Sequence, residues 1–418
     1  MIPPTTGAGL DPKQLKGSVL ANLGYLQVVR HCNHFCGFCS NPSTPYAHTF
    51  ETMKVLVDDF VERGYFGVIL TGGEPTLHEE LPVIARYARD QGLHVRMITN
   101  GHKLADPRFA KDLAEAGLQH VHVSIYSVRE DVEESLRGIP NTLGRAFQAL
   151  HNANENGIDI NINCVINKQN ADHLDENIEY FIEHHPYIRH FVWNNLDPSM
   201  GRAETNMDGY MHRLADCETS LNRALRLLHN SGRTFRVEKM PLCYLTEFAW
   251  ASTETRKIVK GEERIVHFLD SKQTVRQTQW GHMYAEGCDV CSLRTICGGM
   301  FDRGDGYDPA ELYPVFVDRD RIVSQIIHDG TDPSYANRSL ADWREEFEAR
   351  LREAPTGPPE EGYEDGGPEG PEIGFVDESS MRLFEKKRKV ESKMAVKKGV
   401  TMEKTDVALG DKQSQKAW

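Results

Sequence analysis

Short apolar runs alternate with longer amphipathic stretches between residues 22 and 195. The runs are rich in β-branched side chains, which is typical of buried strands. The stretches carry apolar residues at helical spacing, and several end at glycine, as amphipathic helices do. The predicted strands are 25–29, 66–70, 94–98, 120–125, a run within 158–166, and 189–193, and the predicted helices are 51–64, 78–92, 106–117, 142–157 and 171–185.

The repeated strand–helix pattern predicts an α/β fold with a parallel sheet, either open or curled into a barrel. Because six units fall short of the eight in a closed barrel, we predict a partial (β/α)6 barrel. A longer helix is expected over roughly 205–230. The predicted organisation is an N-terminal segment 1–21, the barrel 22–204, a C-terminal cysteine-containing extension 205–335, a helix 336–354 and a tail 355–418.

The composition changes abruptly after residue 354. Eleven of the twenty residues 355–374 are Pro or Gly and most others are acidic, which predicts a flexible linker. Residues 382–398 then carry eight Lys or Arg against two Glu. We interpret the tail as disordered or loosely helical, and as solvated, with a basic contact to RNA, an acidic partner or a membrane surface as the alternatives.

Charge and hydropathy exclude some classes of protein for the 418-residue chain. A net charge of −14 disfavours nonspecific nucleic-acid binding by the main body. No apolar run approaches the roughly 20 residues of a membrane span. The N-terminus lacks the charged start and apolar core of a signal peptide, so we expect a cytoplasmic protein. Nine cysteines in such a chain indicate metal or redox chemistry before disulfides.

Three of the cysteines, Cys32, Cys36 and Cys39, follow the first predicted strand with the spacing C-x3-C-x2-C. In a parallel sheet or barrel this position is the catalytic rim, where the carboxyl ends of the strands meet. Three thiolates can bind zinc with His31 or His34 as a further ligand, form a redox pair, or hold an iron–sulfur cluster. A four-iron cluster with three protein ligands leaves one iron open to a substrate or cofactor.

The stretch "CNHFCGFC" resembles the cysteine motif of the radical SAM superfamily, with Phe38 at its aromatic position. Further similar motifs follow the second, third and fourth strands: "TGGEP" (71–75), "TNG" (99–101) and the Arg-Gly stretch in "LRGIPNTLGRAFQAL" (136–150). The resemblance covers about residues 20–200. It implies the partial barrel of that superfamily, with Cys32, Cys36 and Cys39 ligating a [4Fe–4S] cluster whose fourth iron binds S-adenosylmethionine (SAM).

The resemblance also implies roles for residues at the rim. Gly72 and Gly73 would let carbonyls approach the methionyl ammonium of SAM, and Glu74 would add a charged acceptor. Ser124 would contact the ribose or the carboxylate of SAM, Arg137 would pair with the SAM carboxylate, and Asn163 would contact the ribose. Ordinary hydrogen bonding in the barrel is the alternative for the last three residues. The full set of implied SAM-binding residues is Phe38, Gly72, Gly73, Glu74, Pro75, Asn100, Ser124, Arg137 and Asn163.

A second group of cysteines, Cys288, Cys291 and Cys297, has the spacing C-x2-C-x5-C. With Cys243 it makes four thiolates, which on count suit a closed cluster or a zinc ion equally. The spacing resembles the SPASM and twitch extensions of radical SAM enzymes, although Phe301 stands where a full SPASM pattern has another cysteine. We predict one auxiliary [4Fe–4S] cluster. Structural zinc and an open, substrate-binding cluster are the alternatives, and Cys217 is the rival of Cys243 as fourth ligand.

The implied activity is reductive cleavage of SAM to methionine and a 5′-deoxyadenosyl radical, which abstracts hydrogen from a substrate. An electron donor such as flavodoxin or ferredoxin would be the partner. We predict a peptide or amino-acid-derived substrate. A small metabolite such as a nucleotide, sugar or cofactor precursor is the second hypothesis, and a non-catalytic regulator that binds an iron–sulfur cluster or SAM is the third.

Overall fold

The structure is a computed structural model. It describes residues 23–41, 44, 46–198, 201–262, 264–267, 274–277, 282–301, 306–330, 335 and 337–353. The predictions made for the N-terminal segment 1–21 and for the tail 355–418 lie outside these residues.

One sheet of nine strands organises the described part of the chain. Its strands are β1 (Leu23–Val29), β2 (Gly67–Gly72), β3 (His94–Thr99), β4 (His120–Ser124), β5 (Asp159–Ile166), β6 (His190–Asn195), β7 (Thr234–Glu238), β8 (Arg264–His267) and β9 (Thr274–Gln277). Their order in the sheet is β7-β6-β5-β4-β3-β2-β1-β8-β9. All neighbours are parallel except β8 and β9, which pair antiparallel.

Helices follow most of the strands. They are α1 (Phe50–Glu62), α2 (Leu81–Asp90), α3 (Pro107–Ala116), α4 (Glu130–Arg137), α5 (Thr142–Glu155), α6 (Leu174–His184), α7 (Gly201–Thr205), α8 (Met207–Tyr210), α9 (Leu214–Asn230), α10 (Thr253–Lys260), α11 (Arg319–Ile327) and α12 (Leu340–Glu353). Local signals set several ends. The Thr49 side chain caps α1 by accepting from the amide of Thr52, and Gly117 ends α3 in the left-handed conformation.

The predicted α/β partial barrel is confirmed, and all six predicted strands are present. The number of parallel strands is eight rather than six, because β7 pairs with β6 and β8 pairs with β1. Both additional strands come from the segment predicted as the extension. They were missed because they are only five and four residues long and carry charged side chains, which weakens the strand pattern. The long helix expected over 205–230 begins only at Leu214, after two short helices.

The two faces of the sheet differ in polarity. The outer face packs against the helices with side chains that are fully buried, among them Leu26, Val95, Met97, Val121 and Phe191. The alternate positions face the inside of the curled sheet, are half-buried and are largely polar: Tyr25, Gln27, Thr71, Arg96, His120, His122, Asn163, His190, Asn194, Arg236 and Glu238. The inner face of the sheet therefore presents mainly polar side chains.

The described helices include none that is both long and apolar enough to cross a bilayer.

Candidate functional site

The first cysteine loop, defined as residues 30–41, leaves the carboxyl end of β1 at the rim. The thiols of Cys32, Cys36 and Cys39 are half-buried and close enough to interact electrostatically. The amide of His34 donates to Cys32 Sγ at 3.4 Å. Burial raises the pKa of the Cys36 thiol to about 12. A cationic metal centre would favour its thiolate, so three adjacent thiols with an amide donor fit the cluster that the motif implies.

Gly72 and Gly73 let the end of β2 lie directly against this loop. The amide of Gly73 donates to the Val29 carbonyl at 2.7 Å, and the amide of Glu74 donates to the His31 carbonyl at 2.9 Å. A Cβ on Gly72 would lie 2.0 Å from the Val29 oxygen, and one on Gly73 would lie 2.1 Å from the His31 oxygen. The two glycines are therefore required for the contact between the end of β2 and the first cysteine loop. This requirement is independent of any contact they make with SAM.

The Glu74 side chain is buried and connects the rim ends of β2 and β3. Its carboxylate accepts from Thr76 N at 3.1 Å and from Thr76 Oγ1 at 2.6 Å. It also accepts from Thr99 Oγ1 and from Asn100 N, both at 2.7 Å. Three of these donors bind Oε1 and one binds Oε2, so Glu74 holds the two rim ends together while Oε2 keeps acceptor capacity, and its role toward SAM stays a prediction. Pro75 starts the short 3-10 turn Pro75–Leu77, where its missing amide is not needed.

Arg137 is fully buried at the end of α4. Its Nε donates to Glu133 at 2.6 Å, and its Nη2 donates to the Ser124 carbonyl. Its Nη1 lies 3.2 Å from His34 Nδ1, and its carbonyl accepts from the amide of Phe35 at 2.9 Å. The guanidinium thus holds the first cysteine loop against β4. Its contact with the SAM carboxylate stays a prediction.

The remaining predicted SAM contacts lie around the same rim. Asn100 Nδ2 donates to Asn33 Oδ1 at 2.8 Å and lies 3.8 Å from Cys32 Sγ. Ser124 and Asn163 are register neighbours on β4 and β5, and Asn163 Oδ1 accepts from Asn194 Nδ2 at 2.8 Å. Phe38 is buried, with its ring edge-on to Tyr126 at 4.8 Å. The structure therefore brings these residues to one end of the sheet, and their roles toward SAM stay predictions.

The segment 201–210 covers the first cysteine loop, a contact that was not predicted from the sequence. The amides of Arg202 and Ala203 donate to the Cys39 carbonyl at 2.9 and 3.2 Å, and Arg202 Nε donates to the Cys36 carbonyl at 2.8 Å. Gly201 has φ of +62°, and a Cβ there would lie 2.7 Å from the Cys39 oxygen. From the sequence, Arg202 is a candidate only for a substrate contact or a turn. The contact with the loop depends on main-chain geometry that the sequence does not reveal.

The second group of cysteines lines one cavity with Cys243, which lies in a 3-10 turn just after β7. The lining residues are Pro241, Leu242, Cys243, Tyr284, Cys288, Cys291, Leu293, Arg294, Cys297, Gly299, Leu312 and Tyr313. Cys217, the rival ligand, is not among them. It is buried on α9, where its thiol donates to the Leu214 carbonyl at 3.2 Å.

Amide groups point at the sulfur atoms of this cavity. Gly299 N donates to Cys297 Sγ at 3.2 Å, and Val315 N donates to Cys291 Sγ at 3.4 Å. Such donors stabilise thiolates and tune iron–sulfur clusters. Four thiols, amide donors and an apolar lining fit a closed cluster. Among the described residues, no three His, Cys, Asp or Glu side chains are arranged to hold a single metal ion.

The family model described as the radical SAM superfamily matches residues 26–181, from β1 into α6. Residues 26–181 therefore form a radical SAM domain. The resemblance found in the motifs is thereby confirmed, and the superfamily is one of enzymes. The matched segment contains the first cysteine loop and all the predicted SAM contacts.

Curated relatives match the radical SAM segment. An Fe-coproporphyrin III synthase of Methanosarcina barkeri is 36% identical over 148 residues, which is 34% of this chain and 37% of that protein. A PqqA peptide cyclase of Bradyrhizobium diazoefficiens is 31% identical over 163 residues, which is 38% of this chain and 42% of that protein. The chain therefore spans about two fifths of the length of these relatives.

Two solved structures share the fold over more of the chain. The structure of anSMEcpe with bound AdoMet and Kp18Cys peptide has a TM-score of 0.52 at 16% identity, covering 78% of this chain and 99% of that one. Streptococcus suis SuiB bound to S-adenosylmethionine has a TM-score of 0.51 at 17% identity, covering 66% and 72%. At these identities the likeness shows a shared fold and no more.

Proposed function

We propose that this protein is a radical SAM enzyme that abstracts hydrogen from a peptide or amino-acid-derived substrate. Cys32, Cys36 and Cys39 would hold the SAM-binding [4Fe–4S] cluster. When bound, that cluster supplies the electron that cleaves SAM to methionine and a 5′-deoxyadenosyl radical. The observation that carries the proposal is the contact of the three-cysteine loop with the Gly72–Gly73 segment, at the rim of a curled sheet whose inner face is polar.

The side chains around the loop have defined tasks in this proposal. Glu74 fixes the relative positions of the β2 and β3 rim ends through its four hydrogen bonds. Arg137 and Glu133 hold the loop from the β4 side as a buried ion pair. Arg202 closes over the loop and shields its carbonyls from water. A rigid, covered rim would position SAM and limit side reactions of a radical with solvent.

A second [4Fe–4S] cluster is proposed at Cys243, Cys288, Cys291 and Cys297. It would accept the electron left after hydrogen abstraction or help to hold the substrate. The convergence of all four thiols on one cavity supports this assignment. Amide donors to two of the sulfurs support it further. An external flavodoxin or ferredoxin would supply the first electron.

The cluster assignment can be tested by iron and sulfide analysis after anaerobic reconstitution, with 5′-deoxyadenosine formation measured in the presence of a reductant. The wild type should bind about eight irons, and each triple alanine variant, at Cys32/Cys36/Cys39 or at Cys288/Cys291/Cys297, about four. Deoxyadenosine should disappear only in the first variant. If the wild-type protein holds a full first cluster but does not cleave SAM, the proposed enzymatic activity is contradicted. The hypothesis of a non-catalytic regulator would then be favoured.

The substrate class needs a separate measurement. Relatives named PqqA peptide cyclase favour a peptide, and the relative named Fe-coproporphyrin III synthase favours a tetrapyrrole, a cofactor precursor, as the second candidate. Substrate-dependent stimulation of 5′-deoxyadenosine formation should be compared between a peptide library and coproporphyrin III. Stimulation by the porphyrin alone would overturn the peptide hypothesis and leave the radical SAM chemistry intact.

A further inference from the structure

The inner face of the sheet carries an arginine without a partner. Arg96 lies in the middle of β3, between residues that are fully buried on the outer face. Among the described residues its guanidinium has no hydrogen bond or ion pair, and its Nε is buried. The neighbouring inner-face arginines are paired: Arg236 lies 3.8 Å from Asp329, and Arg264 lies 3.8 Å from Glu238.

An unpaired arginine in such a position is unfavourable, because a charge withdrawn from water is normally compensated by a partner. Burial lowers the pKa of Arg96, while Tyr25 and Asp159 act on it electrostatically in the opposite sense. Asp159 is exposed at the start of β5. Among the described residues, Arg96 therefore has no anionic partner at ion-pair distance.

Two histidines extend the same site. His120 is the register neighbour of Arg96 on β4, and His122 is the next inner-face residue of that strand. Their rings stack with 5.0 Å between centroids and 7° between planes. The Nε2 atoms of both rings are buried without a hydrogen-bond partner. Among the described residues, three buried nitrogen atoms on the inner face of β3 and β4 therefore lack a hydrogen-bond partner.

Both histidines are neutral at neutral pH. Burial lowers the pKa of His120 to about 4 and that of His122 well below its ordinary value. Asn161 Nδ2 lies 3.5 Å from His122 Nδ1. If that Nδ1 accepts, the proton of the neutral ring is on Nε2, which then donates into the barrel. His94 and His190 border the group and are neutral too, since burial lowers their pKa values to about 4 and about 3.

We propose that Arg96, His120 and His122 bind a carboxylate group of the substrate. An arginine fork with neighbouring N–H donors suits the geometry of a carboxylate. One cationic side chain near Asp159 matches a single negative charge better than the double charge of a phosphate. The inference rests on the proposed function and adds the chemical class of the substrate.

The position of Arg96 also sets the distance between the carboxylate of the substrate and its reacting carbon. Arg96 lies four residues before Asn100 at the rim, which corresponds to about 13 Å along a strand. A substrate held at Arg96 and attacked near the rim would carry its carboxylate on the order of 10 Å from the reacting carbon. An acidic side chain or carboxyl terminus of a peptide, and an acid chain on a ring system, both meet this requirement.

Chemical footprinting tests the site without SAM cleavage. Diethyl pyrocarbonate acylates unprotonated imidazoles, and peptide mass spectrometry gives the rate at each histidine of the full chain. Butyrate is the probe, with 1-butanol and inorganic phosphate compared at matched ionic strength. His151 on α5, which is exposed, is the internal control. Butyrate at about ten times its Kd should slow acylation of His120 and His122 about ten-fold.

Butanol should give no protection, and Arg96→Met should weaken the protection by butyrate about ten-fold or more. Equal protection by phosphate, no protection by butyrate, or histidines that fail to react without butyrate would each overturn the proposal. These results leave SAM cleavage untouched, so failure of the site and failure of the proposed function are distinguishable. A peptide with a free carboxylate and the same peptide with that carboxylate converted to an amide would then be compared in this assay. Loss of protection on amidation would identify the carboxylate that is bound.

Arg96→Met provides a second measurement. Replacing an unpaired, desolvated charge by an apolar side chain should leave the melting temperature equal or higher. Arg236→Met, which removes a paired arginine from the same face, should lower it. A loss of stability for Arg96→Met as large as that for Arg236→Met would indicate a structural arginine and overturn the binding role.

Discussion

The Glu74 carboxylate accepts a hydrogen bond from the backbone amide of Asn100, with 2.7 Å between oxygen and nitrogen. The two residues belong to motifs that follow different strands, and Asn100 in turn contacts Asn33 in the first cysteine loop. The Gly-Gly-Glu-Pro segment, the Thr-Asn-Gly segment and the cysteines are therefore parts of one hydrogen-bonded unit. A substitution in any of the three segments should therefore change the positions of the other two.

Glu74→Gln should destabilise the protein and impair SAM cleavage. The side-chain NH2 of glutamine would face an amide or hydroxyl group that now donates a hydrogen bond to the carboxylate. Two donors would then point at each other, and at least one hydrogen bond would be lost. We expect the free energy of unfolding to fall by about 1–3 kcal/mol. Chemical denaturation and deoxyadenosine formation are the measurements. Glu115→Gln is the control, because Glu115 is 65% exposed on α3 and, among the described residues, its carboxylate pairs only with Lys111. Equal stability and equal deoxyadenosine formation in the two variants would contradict the role of Glu74 in connecting the rim ends of β2 and β3.

Gly201→Ala should loosen the cover over the first cysteine loop. Gly157→Ala is a matched control, since Gly157 also has a left-handed φ, of +69°, but a methyl group added there would have nothing within 4 Å. Both variants carry the backbone strain of about 1–2 kcal/mol. Only Gly201→Ala also brings a Cβ against the Cys39 carbonyl, so only it should lose iron during reconstitution. Iron retained equally by both would show that the 201–210 segment does not support the loop.

Cys243→Ala should remove the fourth ligand of the second cavity. Iron content should then fall from about eight toward about four, as for the Cys288/Cys291/Cys297 variant. Cys217→Ala should keep its iron, because the Cys217 thiol bonds within α9 and does not line the cavity. The reverse pattern would assign the ligand to Cys217. Zinc in place of iron at this site, measured by elemental analysis, would contradict the auxiliary cluster itself.

Acid should destabilise the fold through the inner-face histidines. Burial lowers the pKa values of His94 and His120 to about 4, below the unfolded value of about 6.5. The unfolded chain therefore binds more protons between these values, and stability falls as the pH drops from about 6.5 to about 4. At pH 5 a histidine with this shift should lower the free energy of unfolding by up to about 2 kcal/mol, and by less for the partly exposed His94.

Melting curves between pH 7 and pH 5 measure this effect. His120→Asn should reduce the slope of stability against pH, and His151→Asn on the exposed face of α5 should not. A slope unchanged by His120→Asn would mean that other groups dominate the acid response.

Much of the barrel was predictable because its units are local. Each apolar run and each amphipathic stretch from β1 to α6 is readable by itself, and the motifs sit at the strand ends where a parallel sheet exposes them. The β7 and β8 strands were not predictable. They are short and charged, and they form because long-range pairing with β6 and β1 overrides a weak local preference.

The candidate site was predictable only as a set of residue types. Cysteine spacing marked both groups of thiols, and the structure added that Cys243 rather than Cys217 reaches the second cavity. The cover by Arg202 and the unpaired state of Arg96 depend on which side chains meet across the fold. Neither property has a signature along the chain, because an arginine with a partner and one without look identical in a sequence.

The placement of β8 beside β1 has a consequence for the order of assembly. β1 carries the first cysteine loop, yet it gains its second neighbour from residues 264–267, far along the chain. Until those residues leave the ribosome, β1 is the edge of the nascent sheet and offers unpaired amide and carbonyl groups. The first cysteine loop therefore has both neighbouring strands of β1 in place only after more than half of the protein has been synthesised. Iron and sulfide that bind Cys32, Cys36 and Cys39 earlier would meet an incomplete sheet.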